Sequence, residues 1–579
     1  MNYLLATAAA LALCSAASAA DFTVDASKAL KPVDHAAIGA LYGIAAPGWP
    51  PQETINLIHP KNFVQMAPGG HQLPNGETKP VGDALIVAPI AAEAGATVTI
   101  RMPDTFPDFP YIWTGNDKWH AEVARIVAAT VEANPPNIYA YEIWNEPDWT
   151  WQSQWGDFDD VWAGTFKAIR AADPARRIMG PSLSKWNADW MRRFLTAAKA
   201  AGVVPDIVSW HELDPADTND IEAHVAAYRA LEKELGLAAH PISIDEYGSQ
   251  RAMGTPGALL HYIAQLERAG VYTADLAFWH RPGRLSDLLV PKTMGTGPAI
   301  DPLPNGAAWL YKWYGGMTGN MVAAAATSGS GLDGIASYDA GARRLTVLVG
   351  GASGNVTLNL KGLSDIGKAA TVGGYLTHST GTDGFEPKPD NYLHGTLPIA
   401  GDGTATLAFD LPRDTDAAIV TLYPADTVQA GVTITPPVAQ RFEAETGTVT
   451  GGRKITIRAA TFGANRASGD AYMGFFNKAG AALTLPISAP AAGKYDLALG
   501  YSNGQGKPQT VTLAINGGAP QKLDLLPTQG RELFGLAHIA IDLPVGASTL
   551  TLTRTDPALP LAAGPSVIEL DYVDLTPQP

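Results

Sequence analysis

Cysteine is all but missing from this chain: there is one, Cys14, in 579 residues. It lies in the N-terminal segment, so removal of that segment leaves no thiol for a disulfide, a thiolate-bound metal or a cysteine nucleophile. Positive charge is scarce as well. With 40 Lys and Arg against 56 Asp and Glu, the formal net charge is -16. Such a chain has no basic face with which to displace counterions from nucleic acid or an anionic membrane surface. Beyond the N-terminal segment no stretch approaches the roughly eighteen consecutive apolar residues of a spanning helix. The partner these absences leave is a neutral polymer. Tryptophan is also absent from the C-terminal part, since all 14 fall before residue 314.

The first twenty residues carry an apolar run, Leu4 to Leu13, followed by small residues from Ser15 to Ala20. Ala17-Ser18-Ala19 or Ser18-Ala19-Ala20 suits a cleavage site, so residues 1–20 read as a signal peptide and the protein as secreted or periplasmic. Asn2 and Tyr3 leave the terminal amine as the only positive charge ahead of the apolar run. A buried N-terminal helix is the alternative. A lipid anchor on Cys14 is disfavoured by the bulky Leu13 before it.

From residue 37 to residue 316, short β-rich runs alternate with longer stretches of helical period, which implies a parallel sheet with crossover helices. Eight strands can be counted: Ile38 to Tyr42, Phe63 to Met66, Ala96 to Met102, Tyr139 to Trp144, Arg177 to Gly180, Ile207 to Trp210, Ile242 to Asp245 and Ala274 to Trp279. Amphipathic helices fall between them, for example His120 to Asn134, Val161 to Ala172, Asn187 to Ala201, Ile221 to Leu235 and Gly257 to Ala269. Eight such units in this length match a (β/α)8 TIM barrel, with an open doubly wound sheet as the alternative. After Trp313 the texture becomes short alternating runs separated by Gly, Asn and Asp. Residues 317–425, joined by 21–36, read as one all-β sandwich domain. Residues 426–440, with Pro436-Pro437, read as a linker, and 441–579 as a second β-sandwich.

On this strand count Glu146 follows the fourth strand and Glu246 the seventh. Most of the other strand ends carry polar or aromatic groups: His71, Arg101 with Asp104, Ser182, His211 with Glu212, and Trp279 with His280. Such residues line the C-terminal mouth of a barrel, where barrel enzymes keep their chemistry. Two carboxyls are the minimum kit for cleaving an acetal: one delivers a proton to the leaving oxygen and the other meets the developing oxocarbenium ion. Glu146 is assigned as acid/base and Glu246 as nucleophile. Asn145 is placed to meet a sugar 2-hydroxyl, and Arg101 or Tyr247 to support the charge on Glu246. Trp149, Trp151 and Trp155 crowd the loop after Glu146. With Trp113 they suit stacking on sugar faces, although large aromatics as often simply pack a loop down. His71, His211 and His280 sit on different strands and lack the short spacing of a zinc site, so substrate contacts are expected of them. No cofactor is expected for catalysis.

Trp144-Asn145-Glu146-Pro147 and Asp245-Glu246-Tyr247-Gly248 resemble the signature elements of glycoside hydrolase clan A, most closely family 39, the family of β-xylosidases and α-L-iduronidases. The resemblance covers the barrel and the sandwich after it. It implies a retaining, β-xylosidase-like hydrolase with Glu146 as acid/base and Glu246 as nucleophile; with the signal peptide the expectation is a secreted enzyme acting on cell-wall polysaccharide or its oligosaccharides, and the long loops Asp104 to Trp119 and Pro147 to Asp160 favour exo action. The Pro68 to Pro80 loop and the Asp104 to Trp113 run do not follow a β-xylosidase. An α-L-arabinofuranosidase or a galactosyl-arabinose-releasing hydrolase is therefore the alternative. A non-catalytic carbohydrate-binding protein is the alternative of a different class. In the last domain Phe442-Glu443-Ala444-Glu445, Tyr501-Ser502-Asn503-Gly504 and Glu569-Leu570-Asp571-Tyr572 resemble carbohydrate-binding modules of families 6 and 35. That likeness implies a structural calcium on Glu443, Glu445 and Asp571. With no tryptophan in this domain, sugar stacking would fall to Tyr472, Phe475, Phe476 or Phe534.

Overall fold

The computed structural model describes residues 20–73, 79–215, 218–277, 279, 282–290, 302–381, 384, 386, 388–425, 431–434, 440–456, 467, 471–474, 476–504, 508–525, 534–556 and 568–578. The expected signal peptide with Cys14, and also His280 and Phe475, lie outside the described residues.

A first strand, β1 (Ala20–Pro32), precedes eight strands that close into a barrel. These are β2 (Gly39–Leu41), β3 (Asn62–Met66), β4 (Thr97–Arg101), β5 (Ile138–Glu142), β6 (Arg177–Leu183), β7 (Ile207–Glu212), β8 (Ile242–Tyr247) and β9 (Thr273–Leu276). All neighbours run parallel, and β2 pairs with β9 to shut the ring. Every residue of β3, β5 and β7 is buried, as expected for strands covered by helices on one face and barrel filling on the other. The helices are cut by local signals. Asp157, Asn187 and Asp220 cap the starts of Phe158–Ala172, Ala188–Ala201 and Ile221–Leu235 by accepting backbone N–H groups. Gly202, Gly236 and Gly270 close Ala188–Ala201, Ile221–Leu235 and Pro256–Ala269 in the left-handed conformation.

Two strand ends differ from the sequence expectation. The fourth barrel strand, β5, stops at Glu142 rather than Trp144, and the chain then turns, with Glu146 at φ 54° ahead of Pro147. The seventh, β8, continues through Glu246 to Tyr247, so the second glutamate is carried by the strand itself.

Ten strands form one continuous sheet outside the barrel. β1 lies inside it, antiparallel to Asn320–Ala326 and parallel to Gly354–Lys361. Leu358 and Phe409 from one end of the sheet share a core with Leu376 and Leu393 from the other, so the sheet folds over on itself. The opposite face meets the barrel. Along Arg344–Gly350, Val347 and Val349 point into the sheet's own core while Leu348 joins the barrel's, the two-residue alternation of a strand buried on both sides.

The span expected to be a linker contains a strand. Gly431–Ile434 pairs antiparallel with Asp390–Pro398 and forms the edge of the sheet. Its β-branched run, Val432-Thr433-Ile434, favours extended pairing where an open edge is available. In the last unit a six-stranded and a five-stranded sheet enclose a core that includes Leu483, Leu497, Leu513, Leu550 and Leu570. Among the described residues no helix is long and apolar enough to cross a membrane.

Candidate active site

The C-terminal ends of the barrel strands bring together residues far apart in sequence. Glu146 begins the short helix Pro147–Thr150, and its N–H donates to the Ser182 carbonyl at 2.8 Å. Both Glu146 and Ser182 have left-handed backbones, φ 54° and 56°, a local cost of the kind held at functional sites by the surrounding fold. The Glu146 carboxyl is held on two sides. Its Oε1 lies 3.1 Å from His211 Nδ1, and its Oε2 accepts the Trp149 indole N–H at 2.8 Å.

Glu246 Oε1 accepts from Arg101 Nη1 at 2.6 Å, and its Oε2 is 3.8 Å from the same His211 Nδ1. One side-chain atom from each of Glu146, His211 and Glu246 falls within 4.8 Å of the other two. Arg101 also reaches beneath the site. Its Nε donates to both oxygens of Glu142 at 3.0 Å, and its Nη2 stands 3.5 Å from Asp245 Oδ2. Glu142, His211 and Asp245 are fully buried and Arg101 nearly so.

Four carboxyl groups thus surround two cationic side chains in a site of low exposure. Burial pulls His211 down, but the Glu246 and Asp245 charges outweigh it, and the net shift is well above the ordinary imidazole range. Burial pushes Asp245 up, yet the His211 and Arg101 charges hold it below the usual carboxylate range. For Glu142 burial prevails even against Arg101, and the carboxyl is raised well above its ordinary value. Arg101 loses some of its hold on the proton to burial but gains more from Glu142 and Glu246, and stays charged.

A second layer braces the first. Asp104, fully buried, accepts from the Tyr42 hydroxyl and from Tyr111 Oη at 3.0 Å, with Gln72 Oε1 2.9 Å from the Tyr42 oxygen. Burial raises Asp104 to about 6 against the opposing pull of Arg101 and the two tyrosines. Asn145 is buried beside Glu146, and its Oδ1 has no hydrogen-bond partner among the described residues.

The remaining sequence candidates divide. Trp149 stands at Glu146, as above. Trp113 and Trp151 pack edge to face on each other at 4.8 Å and on the buried Trp144, and Trp151 Nε1 donates to the Gly156 carbonyl. Those two rings hold the loop onto the barrel, the bland reading of the aromatic cluster. Tyr247 is a correction: its hydroxyl donates to the Ala37 carbonyl and meets Tyr311 Oη, inside the barrel wall. Its alternation along β8 places it on the face opposite Glu246. Glu212 is another. It accepts from Trp210 Nε1 at 2.6 Å and pairs with His224 Nδ1 at 2.9 Å, a closed structural pair. His71 is exposed, with its N–H on the Asp104 carbonyl, and His71 does not join His211 in a cluster. Trp279 donates its backbone N–H to Asp287 and its indole N–H to the Gly248 carbonyl, just past β8.

Glu142, Tyr42 and Tyr111 went unselected in the sequence. The signal for Glu142 was its charge inside the otherwise apolar Ile138–Trp144 run. Nothing local marked the tyrosines.

No family model matches the chain. A 3-O-α-D-galactosyl-α-L-arabinofuranosidase of Bifidobacterium longum subsp. longum is 26% identical over 90% of this chain and 51% of its own length. A β-xylosidase of Geobacillus stearothermophilus is 22% identical over 32% of this chain and 44% of its own. The chain therefore spans about half the length of the curated relatives it matches. Among solved structures, N2152 from Neocallimastix frontalis is 30% identical with a TM-score of 0.64, covering 70% of this chain and all (100%) of that one. A GH39 enzyme from Xanthomonas axonopodis pv. citri, 15% identical over 72% of this chain and 100% of its own with a TM-score of 0.50, shares the fold.

The closed parallel barrel presents Asn-Glu-Pro after its fourth strand and a facing glutamate at the end of its seventh, the arrangement in which the chain resembles glycoside hydrolase clan A. The chain belongs to one family with N2152, and its barrel shares its fold with the family 39 enzyme.

Proposed function

We propose that the protein is a secreted retaining glycoside hydrolase that removes sugars from the ends of cell-wall polysaccharide or its oligosaccharides by double displacement. The observation that carries this reading is the approach of Glu146 and Glu246, with side-chain atoms within 4.8 Å. Retaining enzymes hold their carboxyls about 5–5.5 Å apart, whereas inverting ones leave about 6.5–9.5 Å for a water. Glu246, paired with Arg101, is the nucleophile. Glu146, turned by His211 and Trp149, protonates the leaving oxygen and then takes the proton from water. Asn145, whose Oδ1 has no hydrogen-bond partner among the described residues, is placed to meet the sugar 2-hydroxyl. The low exposure of both glutamates favours a closed, exo-acting pocket: 7% for Glu146 and 13% for the Glu246 side chain.

Replacing Glu246 with Ala is expected to lower turnover by a factor on the order of 10⁴ or more. Glu146→Ala with added azide is expected to regain activity on substrates with good leaving groups and to yield a glycosyl azide of retained configuration. Near-normal turnover by Glu246→Ala would sink the mechanism. Glycan binding in a calorimeter without hydrolysis of any aryl glycoside would favour a non-catalytic binding protein.

The sugar is read as β-xylose-like from the family 39 resemblance. The α-L-arabinofuranosidase reading is favoured by one observation, the 90% of this chain matched by the Bifidobacterium enzyme against 32% by the β-xylosidase. A panel of nitrophenyl xylosides, arabinofuranosides, galactosides and glucosides separates the two.

A structural calcium is proposed for the last unit. Glu445 Oε2 is buried without a hydrogen-bond partner, and burial together with the Glu443 charge raises its pKa. Asp571, fully buried, lies one residue from the Tyr572 that pairs with Glu443. Oxygen donors of this kind fit calcium, which also takes backbone carbonyls and water. Glu443, Glu445 and Asp571 would hold the ion. Calcium is expected to raise the melting temperature and a chelator to lower it, with Glu445→Gln insensitive to both.

A further inference from the structure

The mouth of the barrel carries an aromatic surface that extends beyond the two glutamates. Phe109 and Trp149 are 43% and 50% exposed, and Ile112 in the same loop is 61% exposed. The Phe109 and Trp149 rings meet edge to face, 5.6 Å apart at 85°. Phe109 also rests on Tyr111 at 5.4 Å, and Tyr111 is tied to the buried Asp104. The surface is therefore anchored to Asp104, a buried carboxyl group within the electrostatic reach of Arg101. Exposed aromatics held this firmly are costly unless something covers them.

Their position identifies the occupant. An in-line displacement expels the leaving group on the face of the sugar away from the nucleophile. The Glu146 carboxyl is oriented accordingly. Oε1 faces His211, and through it Glu246, while Oε2 faces the Trp149 indole at 2.8 Å. A leaving group that takes its proton from Glu146 departs along the Trp149 side and comes to rest against Trp149 and Phe109. We infer that Phe109 and Trp149 form a leaving-group subsite that stacks the C–H face of a sugar ring, and that Trp149 couples that contact to the acid by holding its Oε2. This deepens the proposed hydrolase function and rests on it. The chemical class of the leaving group is then a saccharide rather than a small alcohol. Contacts to a non-reacting part of the substrate contribute to kcat/KM when they position the bond for proton transfer.

The test compares two substrates that share a sugar and differ in what leaves. The pairs are xylobiose with methyl β-D-xylopyranoside and α-1,5-arabinobiose with methyl α-L-arabinofuranoside, whichever the parent enzyme cleaves. In Phe109→Ala the ratio of kcat/KM for the disaccharide to that for the methyl glycoside is expected to fall about tenfold. The ratio does not depend on the fraction of enzyme folded. Trp149→Phe keeps a ring and loses the N–H, so it is expected to lower kcat on both substrates while keeping most of the ratio. A ratio within twofold of the parent's in Phe109→Ala, whether the rates hold or fall together, overturns the subsite. A parent that cleaves neither these substrates nor any nitrophenyl glycoside overturns the hydrolase reading and the subsite with it.

Discussion

Arg101 makes three ionic contacts that no other residue type could make together. Its Nε serves Glu142, one terminal nitrogen serves Glu246, and the other faces Asp245. A lysine is a point charge without that planar fork, so Arg101→Lys is expected to lower kcat/KM on the best nitrophenyl substrate by roughly 10²–10³-fold. A change of less than threefold would show that the fork is dispensable. The legibility of such residues followed from their position. Glu146, Glu246, Asn145 and Arg101 stood out because each is a polar residue where an apolar strand pattern ends. Tyr247 and Glu212 had the same mark yet turned to structural partners, Tyr311 and His224, because side chains alternate between the faces of a strand and the pattern does not say which face meets the mouth. Glu142 escaped because its cation lies 41 residues away in sequence, on the neighbouring strand.

At the scale of elements, the barrel strands were readable from β-rich runs and helical stretches in alternation, and the helix ends from Asp, Asn and Gly at the caps. What escaped were pairings between distant segments. β1 is followed by the whole barrel before it meets its partners at Asn320–Ala326 and Gly354–Lys361, so its place inside the sheet is a tertiary fact. Phe22 of β1 is fully buried in the sheet's own core, apart from the barrel's. Truncating it in Phe22→Ala is expected to cost about 3–5 kcal/mol. The loss should be read in the melting transition of the sheet, and an unchanged melt would place β1 outside the cooperative unit. The edge strand Gly431–Ile434 escaped for the same reason. Pro436-Pro437 marked a break, and only the open edge at Asp390–Pro398 shows where the strand before it goes.

At the scale of the whole molecule, the three units meet around His378. Its ring lies between Asp416 and Asp390, with 3.0 Å from each ring nitrogen to a carboxylate oxygen. Beside it, Gly306 N–H, at the start of the helix Gly306–Gly315, donates to Thr380, and Arg413 pairs with Asp574 of the C-terminal unit, which that unit's own Arg441 also holds. Burial lowers the His378 pKa, but the Asp416 charge and hydrogen bonds to Asp390 and Asp416 outweigh it and raise it to about 10. A histidine raised on folding contributes stability that is complete below its unfolded pKa, about 6.5, and is lost as pH climbs through the folded value. The melting temperature of the parent should therefore fall between pH 6.5 and 10, and His378→Gln should melt lower at pH 6 and lose most of that slope. Parallel slopes for parent and variant would refute the assignment of that slope to His378. The sequence by itself determined the eight strands and marked the two glutamates at their ends, because strand period, caps and an Asn-Glu-Pro turn are local. Only the tertiary structure decided which carboxylates share Arg101 and His211, which aromatics stand at the mouth and which pack beneath it, and how one sheet folds over its own core. Those are contacts between residues tens to hundreds apart, and they are settled by the closing of the barrel and the burial of charge that follows.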